Sequence, residues 1–302
     1  MRQPQIALLA DGRRLHLQDG PIDLVIEAFG AEDAVAAAYA AATQRFTGLL
    51  DELVAELPVL RSRARGDGTA LTGVVARRMY AAVAPFADEC FVTPMAAVAG
   101  AVADEILQAM ERAAPLARAY VNNGGDIALH LERGKSFTLG LVDRPDQPSL
   151  FARAKIAAQD PSRGVATSGW RGRSFSLGIA DAVTILAATA AQADAAATIV
   201  ANAVDLPGHP AVERAPAASI AADNDLGDIL VTRAVGALMR EEVGEAIERG
   251  LVRARALHDR GLIHAAAIHL QGETRVLVTS DATPRLSSAF SATSLQREIA
   301  HV

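Results

Sequence analysis

The sequence predicts an α+β fold, a mostly antiparallel sheet packed with long alanine-rich helices. Strand-like runs interleave with helical ones, and hairpin signals join strands directly at three places. Hydrophobic residues make up 51% of the 302, charged residues 21% and aromatics only 4%, so a large core must be built from Ala, Val, Leu and Ile. We read residues 1–302 as one domain.

The chain opens as a small antiparallel unit: "QIALLA", an Asp11-Gly12 turn, "RRLHLQ", an Asp19-Gly20-Pro21 turn, then "IDLVIEA". Asp-Gly supplies the positive φ that a tight hairpin turn needs. Residues 31–57 read as one helix stopped by Pro58, followed by the Gly/Arg loop "RSRARGDG". Thr93 and Pro94 form an N-cap and first-turn pair for the helix "MAAVAGAVADEILQAMERA". One face of it is nearly all Ala and Gly, suited either to close packing or to a flat ligand. "IALHLER" and "KSFTLGLV" read as a hairpin joined at Arg133-Gly134, and the loop "DRPDQPS" leads to the strand "LFARAKIAA". After "IADAVTILA" comes the helix "TAAQADAAATIVANAVDLPGHP", ended near Pro207-Gly208. The stretch "ILVTRAVGALMREEVGEAIERGLVRARALHDRG" reads as a helix in which Gly236, Gly244 and Gly250 argue for breaks. "LIHAAAIHL" and "TRVLVT" flank Gly272 as closing strands before a polar tail.

Lys and Arg total 29 against 35 Asp and Glu, a net charge of −6 with no basic tract, which argues against nucleic acid as a partner. Cys90 is the only cysteine, so no intrachain disulfide and no thiolate-built metal site can form. No apolar run approaches the roughly 18 residues of a membrane span, and the N-terminal run is too short for a signal-peptide core. The expected location is cytoplasmic.

Three stretches can carry chemistry. In "NNGGDI", Gly124 and Gly125 present bare amides beside Asn122, Asn123 and Asp126, either as a ligand cradle or as a β-bulge or turn with Asx caps. In "GVATSGWRGRSFSLG", Thr167, Ser168 and Gly169 can wrap an anion that Arg171 or Arg173 neutralises. Trp170 either stacks on a ring or covers the core. In "ADAAAT", Asp194 and Thr198 stand four apart on one helix face, where they can hold Mg²⁺ or simply face solvent.

In order and wording, these stretches resemble the superfamily of ApbE, the flavin transferase that moves FMN from FAD onto a Thr or Ser of a target protein. Its pattern runs Gly-Gly-Asp, then Ala-Thr-Ser-Gly, then Ala-Asp-Ala-x-x-Thr on a helix, here "NNGGDI", "VATSG" and "ADAAAT". The motif-bearing centre spans about residues 120–205. "RLHLQDGPIDLVIEAFG", "TPMAAVAGAVADEI", "RSFSLGIADAVTILA" and "DLGDILVT" look like one branch of that superfamily, the UPF0280 proteins. The resemblance implies an ApbE-like fold, Asp194 and Thr198 as Mg²⁺ ligands, and Gly124, Gly125, Thr167, Ser168 and Gly169 as a dinucleotide cradle. It implies no catalytic residue: where the transferases carry a His followed by Asp-Pro and Thr-Gly, this chain has no histidine between His130 and His209.

The resemblance thus implies an enzyme-like protein that binds a small phosphate-bearing ligand, FAD foremost, with Mg²⁺. The alternative is a non-catalytic binding or accessory protein that keeps the cradle. Some archaeal relatives are associated with sulfur assimilation, which suggests a third possibility: Cys90, just ahead of a helix N-terminus, carries sulfur or, more simply, is a buried, inert thiol. Asp225 and Asp228 offer further oxygens for a metal or, more simply, turn and cap groups.

Overall fold

The computed structural model describes residues 3–66, 68, 70–142, 150–277 and 290–291. The Pro-rich loop at 143–149 and all but two residues of the tail lie outside them. The N-terminal hairpins form, though not on tight Asp-Gly turns: β1 (Gln5–Leu8), β2 (Leu15–Asp19) and β3 (Ile22–Phe29) pair antiparallel, Leu8 opposite Leu15 across a longer loop and Asp19 opposite Ile22 across Gly20-Pro21, with Gly12 and Gly20 at φ 67° and 58°.

The helix expected over 31–57 is divided into α1 (Glu32–Phe46), α2 (Leu49–Ala55) and α3 (Leu57–Leu60). Gly48, at φ 83°, turns the chain between the first two, and Pro58 sits in the first turn of α3 instead of ending a helix. A further helix, α4 (Val74–Val83), buries Val75, Met79 and Val83 on one face. Thr93 caps as expected, its hydroxyl accepting from Met95 N at 3.2 Å. A 3₁₀ turn over Pro94–Ala97 then leads into α5 (Val98–Ala113).

Next come β4 (Arg118–Asn123), β5 (Asp126–Leu131), β6 (Ser136–Val142), β7 (Leu150–Ala157), β8 (Gly164–Ser168), β9 (Ala182–Ala187) and α6 (Ala190–Ala203). The hairpin expected between β5 and β6 does not form. Both edges of β5 are occupied, by β4 and β8, so β6 crosses to a second sheet and pairs with β7. Phe137 anchors the crossing, packing on Phe29 and edge-on to Tyr120.

The remaining elements are β10 (Val212–Pro216), α7 (Ala217–Ile220), β11 (Leu230–Val235), α8 (Arg240–Asp259), β12 (Ala265–Leu270), β13 (Glu273–Leu277) and β14 (Phe290–Ser291). The helix expected from Ile229 therefore begins only at Arg240. Val231, Thr232 and Val235 favour the strand that pairs with β10, and Gly236 follows that strand. Gly244 and Gly250 lie inside α8 without breaking it; a Cβ at Gly250 would collide with Val204.

Nine strands form an antiparallel sheet in the order β1-β2-β3-β4-β5-β8-β9-β12-β13, and β14-β7-β6 form a second. Period-two alternation sorts the central strands between two cores. Ala128, Ala166, Ile185 and Ile268 face the helices, while Leu129, Val165, Leu186 and Ala267 face the small sheet. The result is a stack of helices, large sheet and small sheet.

Within the helical layer, α5 and α6 cross at their N-termini. Gly100 N donates to Asp194 Oδ2 at 3.0 Å, while Ala190 N and Ala191 N donate to Asp104 Oδ1 and Oδ2, each at 3.0 Å. Each helix thus supplies a carboxylate that caps the other. A Cβ at Gly100 would run into the Ala190 carbonyl, so only glycine allows this approach. Gly100→Ala is expected to lower stability by about 1–3 kcal/mol through overpacking. Gly244→Ala, inside α8 beside only the movable tip of Arg275, should raise it by up to about 1 kcal/mol. Urea unfolding of the two variants measures both signs.

Candidate functional site

A cleft of about 520 Å³ opens where the β4–β5 turn, the end of β8 and the start of α6 meet the far end of β6. Its polar part holds Asp126, Thr167, Ser168, Arg173, Asp194 and Thr198; Ile127, Leu139, Leu141, Val142 and Val165 form an apolar wall. The wall comes largely from β6, which the sequence reading placed in another pairing.

The Gly-Gly stretch is both a turn and part of the cleft. Asn123 pairs with Asp126 across a two-residue hairpin in which Gly124 and Gly125 take φ 67° and 111°. Asn122 Oδ1 accepts from Gly125 N at 2.8 Å, an Asx cap. A Cβ at Gly124 would strike the guanidinium of Arg173, which therefore lies directly over the turn. Asp126 starts β5 beside the end of β8, and its carboxylate accepts from Thr167 N at 3.3 Å.

Most of the residues singled out from sequence line this cleft: Asn122, Gly124, Gly125, Asp126, Thr167, Ser168, Gly169, Arg173, Asp194 and Thr198. Asn123 and Arg171 do not. Asn123 is buried and donates to the Ala99 carbonyl at 3.1 Å, tying the hairpin to the start of α5. Arg171 pairs with Asp181 at 2.7 Å and stacks 4.3 Å from the Trp170 ring centroid. Trp170 in turn donates its indole N–H to Asp181 at 3.2 Å. Asp181, which the sequence reading passed over, also receives Gln271 N at 2.6 Å, fastening the glycine-rich loop to the β12–β13 hairpin.

Asp194 and Thr198 stand one turn apart on α6 with both side chains at the cleft. Burial pushes the Asp194 carboxyl up to about 7, against the pull of the Gly100 and Ala99 N–H groups. Burial, and then the charge of Asp194, push Asp126 well above the usual carboxylate range, opposed by Thr167 N–H and Arg173. Two carboxylates that resist ionising together, with a hydroxyl alongside, make a donor set deficient in positive charge. Among the described residues no three of His, Cys, Asp and Glu gather at one point. A hard cation here would therefore rest on Asp194, Asp126, Thr198 and water, which suits Mg²⁺.

The other candidates lie elsewhere. Asp225 accepts the Thr93 hydroxyl and does not line the cleft. Cys90 is half-buried with Sγ donating to the Phe86 carbonyl at 3.7 Å, and burial pushes its thiol up, away from an easily formed thiolate. Among the described residues no histidine lines the cleft.

The sequence model of the family described as "AbpE bacteria" matches residues 6–276. The chain belongs to this family. A UPF0280 protein of Methanopyrus kandleri is 37% identical over 182 residues, 60% of this chain and 69% of that one. UPF0280 proteins of Methanosphaerula palustris and Archaeoglobus fulgidus are 40% and 38% identical over 123 and 124 residues, 37% and 41% of this chain and about half of each relative. The chain is thus a UPF0280 protein of the ApbE-like superfamily. Among solved structures, a mutant form of the flavin transferase ApbE from Vibrio cholerae is similar with a TM-score of 0.39 at 12% identity. That alignment covers 91% of this chain and all of that one. No helix among the described residues is long and apolar enough to cross a membrane.

The raised Asp194 carboxyl makes stability depend on pH. A group whose pKa is higher folded than unfolded contributes most below the unfolded value, here 3.8, and that contribution is lost as pH rises to about 7. In metal-free protein, Asp194→Asn should remove this decline, so the melting-temperature difference between variant and parent should grow in the variant's favour from pH 4 to 7. Parallel pH curves would show that Asp194 does not titrate there.

Proposed function

We propose that this UPF0280 protein binds a flavin nucleotide, FAD foremost, in the cleft, with Mg²⁺ held by Asp194 and Thr198 beside Asp126. The observation that carries the proposal is the meeting, in one cleft, of two half-buried carboxylates with raised pKa values and an apolar wall. A divalent cation would relieve the carboxylates, and the phosphates would then approach it without facing two bare anions. Gly124, Gly125, Thr167, Ser168 and Gly169 supply close backbone and hydroxyl groups, Arg173 a guanidinium, and the apolar wall room for a ring system. Asp194, Asp126 and Thr198 would hold the ion, which would supply neutralisation of a phosphoryl group for attack, the chemistry that transfer of an FMN or nucleotidyl group requires.

A second reading keeps the binding and drops the transfer. It is favoured by the cleft's lack of a histidine among the described residues and by the pinning of Trp170 and Arg171 to Asp181 where the transferases carry their His segment. The sulfur-carrying version of this reading loses support, because the Cys90 thiol is held toward its neutral form.

Calorimetric titration of FAD into Mg²⁺-loaded and metal-free protein tests both readings. Binding should require Mg²⁺ and weaken at least about tenfold in Asp194→Asn, the loss expected for a charged ligand group. Glu245→Gln, in an exposed ion pair on α8 with no place in the cleft, should bind as the parent does. No FAD binding in either metal state would remove the flavin assignment. FAD binding without turnover on any hydroxyl acceptor would favour the second reading.

A further inference from the structure

The small sheet ends in an open edge beside the cleft. Ala158 N donates to Lys135 O at 2.9 Å and Arg118 Nη1 donates to Ser136 O at 3.0 Å. By the antiparallel alternation, Thr138 and Gly140 therefore turn their backbone N–H and C=O groups away from β7. Both residues are exposed, and among the described residues nothing bonds to those groups. The opposite edge of the same sheet already takes an added strand, since Phe290–Ser291 pair with Ala154 and Arg153 of β7.

The exposed face of this sheet is basic in a protein of net charge −6. The chain's only two lysines, Lys135 and Lys155, are here, with Arg133 and Arg153. All four are exposed, and none has an ion-pair partner among the described residues, although Glu132 shares the β5–β6 turn. Elsewhere arginines such as Arg45, Arg249 and Arg260 are paired with glutamates. In register, Lys155 lies opposite Thr138 and Arg153 opposite Gly140. The two residues between those cations and the open edge are thus small, although the Leu150 side chain packs against Gly140. A strand added to β6 would lie about 10 Å from β7, two strand spacings, within reach of extended Lys and Arg side chains. Val142 and Leu150, cross-strand partners at the cleft end, are 40% and 38% exposed and add an apolar foothold.

We propose that the β6 edge is a docking surface for an acidic, extended segment of a partner polypeptide, which adds to the sheet through Thr138 and Gly140 and is held by Lys155, Arg153 and Lys135. Gly140 and Val142 also line the cleft, so the docked segment runs past the cleft mouth. The docking itself is independent of what the cleft binds.

The test is fluorescence anisotropy of a short labelled peptide alternating Glu with Thr, added to the full chain at low salt. The peptide should bind, protect the Thr138 and Gly140 amides from hydrogen exchange, and weaken at least about tenfold in the Arg153→Glu/Lys155→Glu variant. An analogue N-methylated along its backbone should lose binding by a similar factor, an arm that needs no variant to fold. Failure of the peptide to bind, or equal affinity for the methylated analogue, overturns the proposal. So does a charge-reversed variant that self-associates yet binds the peptide unchanged, because the cations would then only guard the edge against self-pairing. Capture by phosphatidylserine vesicles without peptide binding would assign the face to a membrane surface instead.

Discussion

Everything that positions the cleft depends on the crossing of α5 and α6, where each helix caps the other with an aspartate. Gly100 and Asp104 are separated by the same four-residue step as Ala190 and Asp194, so the contact has a two-fold pattern. Unsatisfied N–H groups at a buried helix start are costly, and a carboxylate answers both the missing acceptors and the positive end of the helix dipole. Because the caps are exchanged between helices, neither helix can shift without uncapping the other. The close approach also accounts for the small residues at the start of α5 and in the turn before it: Ala97 and Ala101 are fully buried, and Gly100 admits the Ala190 carbonyl.

This joint explains why Asp194 sits where it does and why its carboxyl is raised. The crossing holds one oxygen on Gly100 N–H, which pulls the carboxyl down, but burial among the surrounding helices and sheet outweighs that pull. Asp104, its mirror image, is likewise pushed up by burial but lies at a different concavity with Arg78 and Gln108. The difference between the two is their neighbours. Asp194 faces Asp126, a second raised carboxyl with Arg173 nearby, whereas Asp104 lies near Arg78 and Glu111.

The parts of the fold legible in the sequence were those written in local chemistry. The turns at Gly12 and Gly20, the Thr93 cap and the alanine-rich α6 each announce themselves within a few residues. So did most of the cleft, because Gly124-Gly125, Thr167-Ser168 and Asp194-Thr198 combine residue types that a core has little use for. What stayed hidden depends on distant partners. β6 follows β5 through a glycine turn, as in a hairpin, but β8 already holds the edge that β6 would need. Likewise β11 reads as helix when joined to the strong helical pattern after it, and only its pairing with β10 makes it a strand. Arg171 illustrates the same limit at the level of one side chain. Its neighbour Arg173 reaches the cleft, while Asp181, ten residues on, draws Arg171 away.

The displacement of β6 is also what makes the cleft two-sided. Had β6 paired with β5, Leu139, Leu141 and Val142 would have extended the large sheet, and the carboxylates would open to bulk water. Folded over the sheet instead, β6 closes an apolar wall above Asp126 and lowers the local dielectric. In that setting ionising the carboxylate pair is costly and a bound cation is correspondingly favoured. A bare inorganic phosphate would use only the polar part and leave Ile127, Val165 and Leu139 wet. On the proposed reading, a ligand matched to both parts would carry an anionic group at one end and a flat apolar body at the other, so the wall contributed by β6 would restrict the ligand along with the carboxylates.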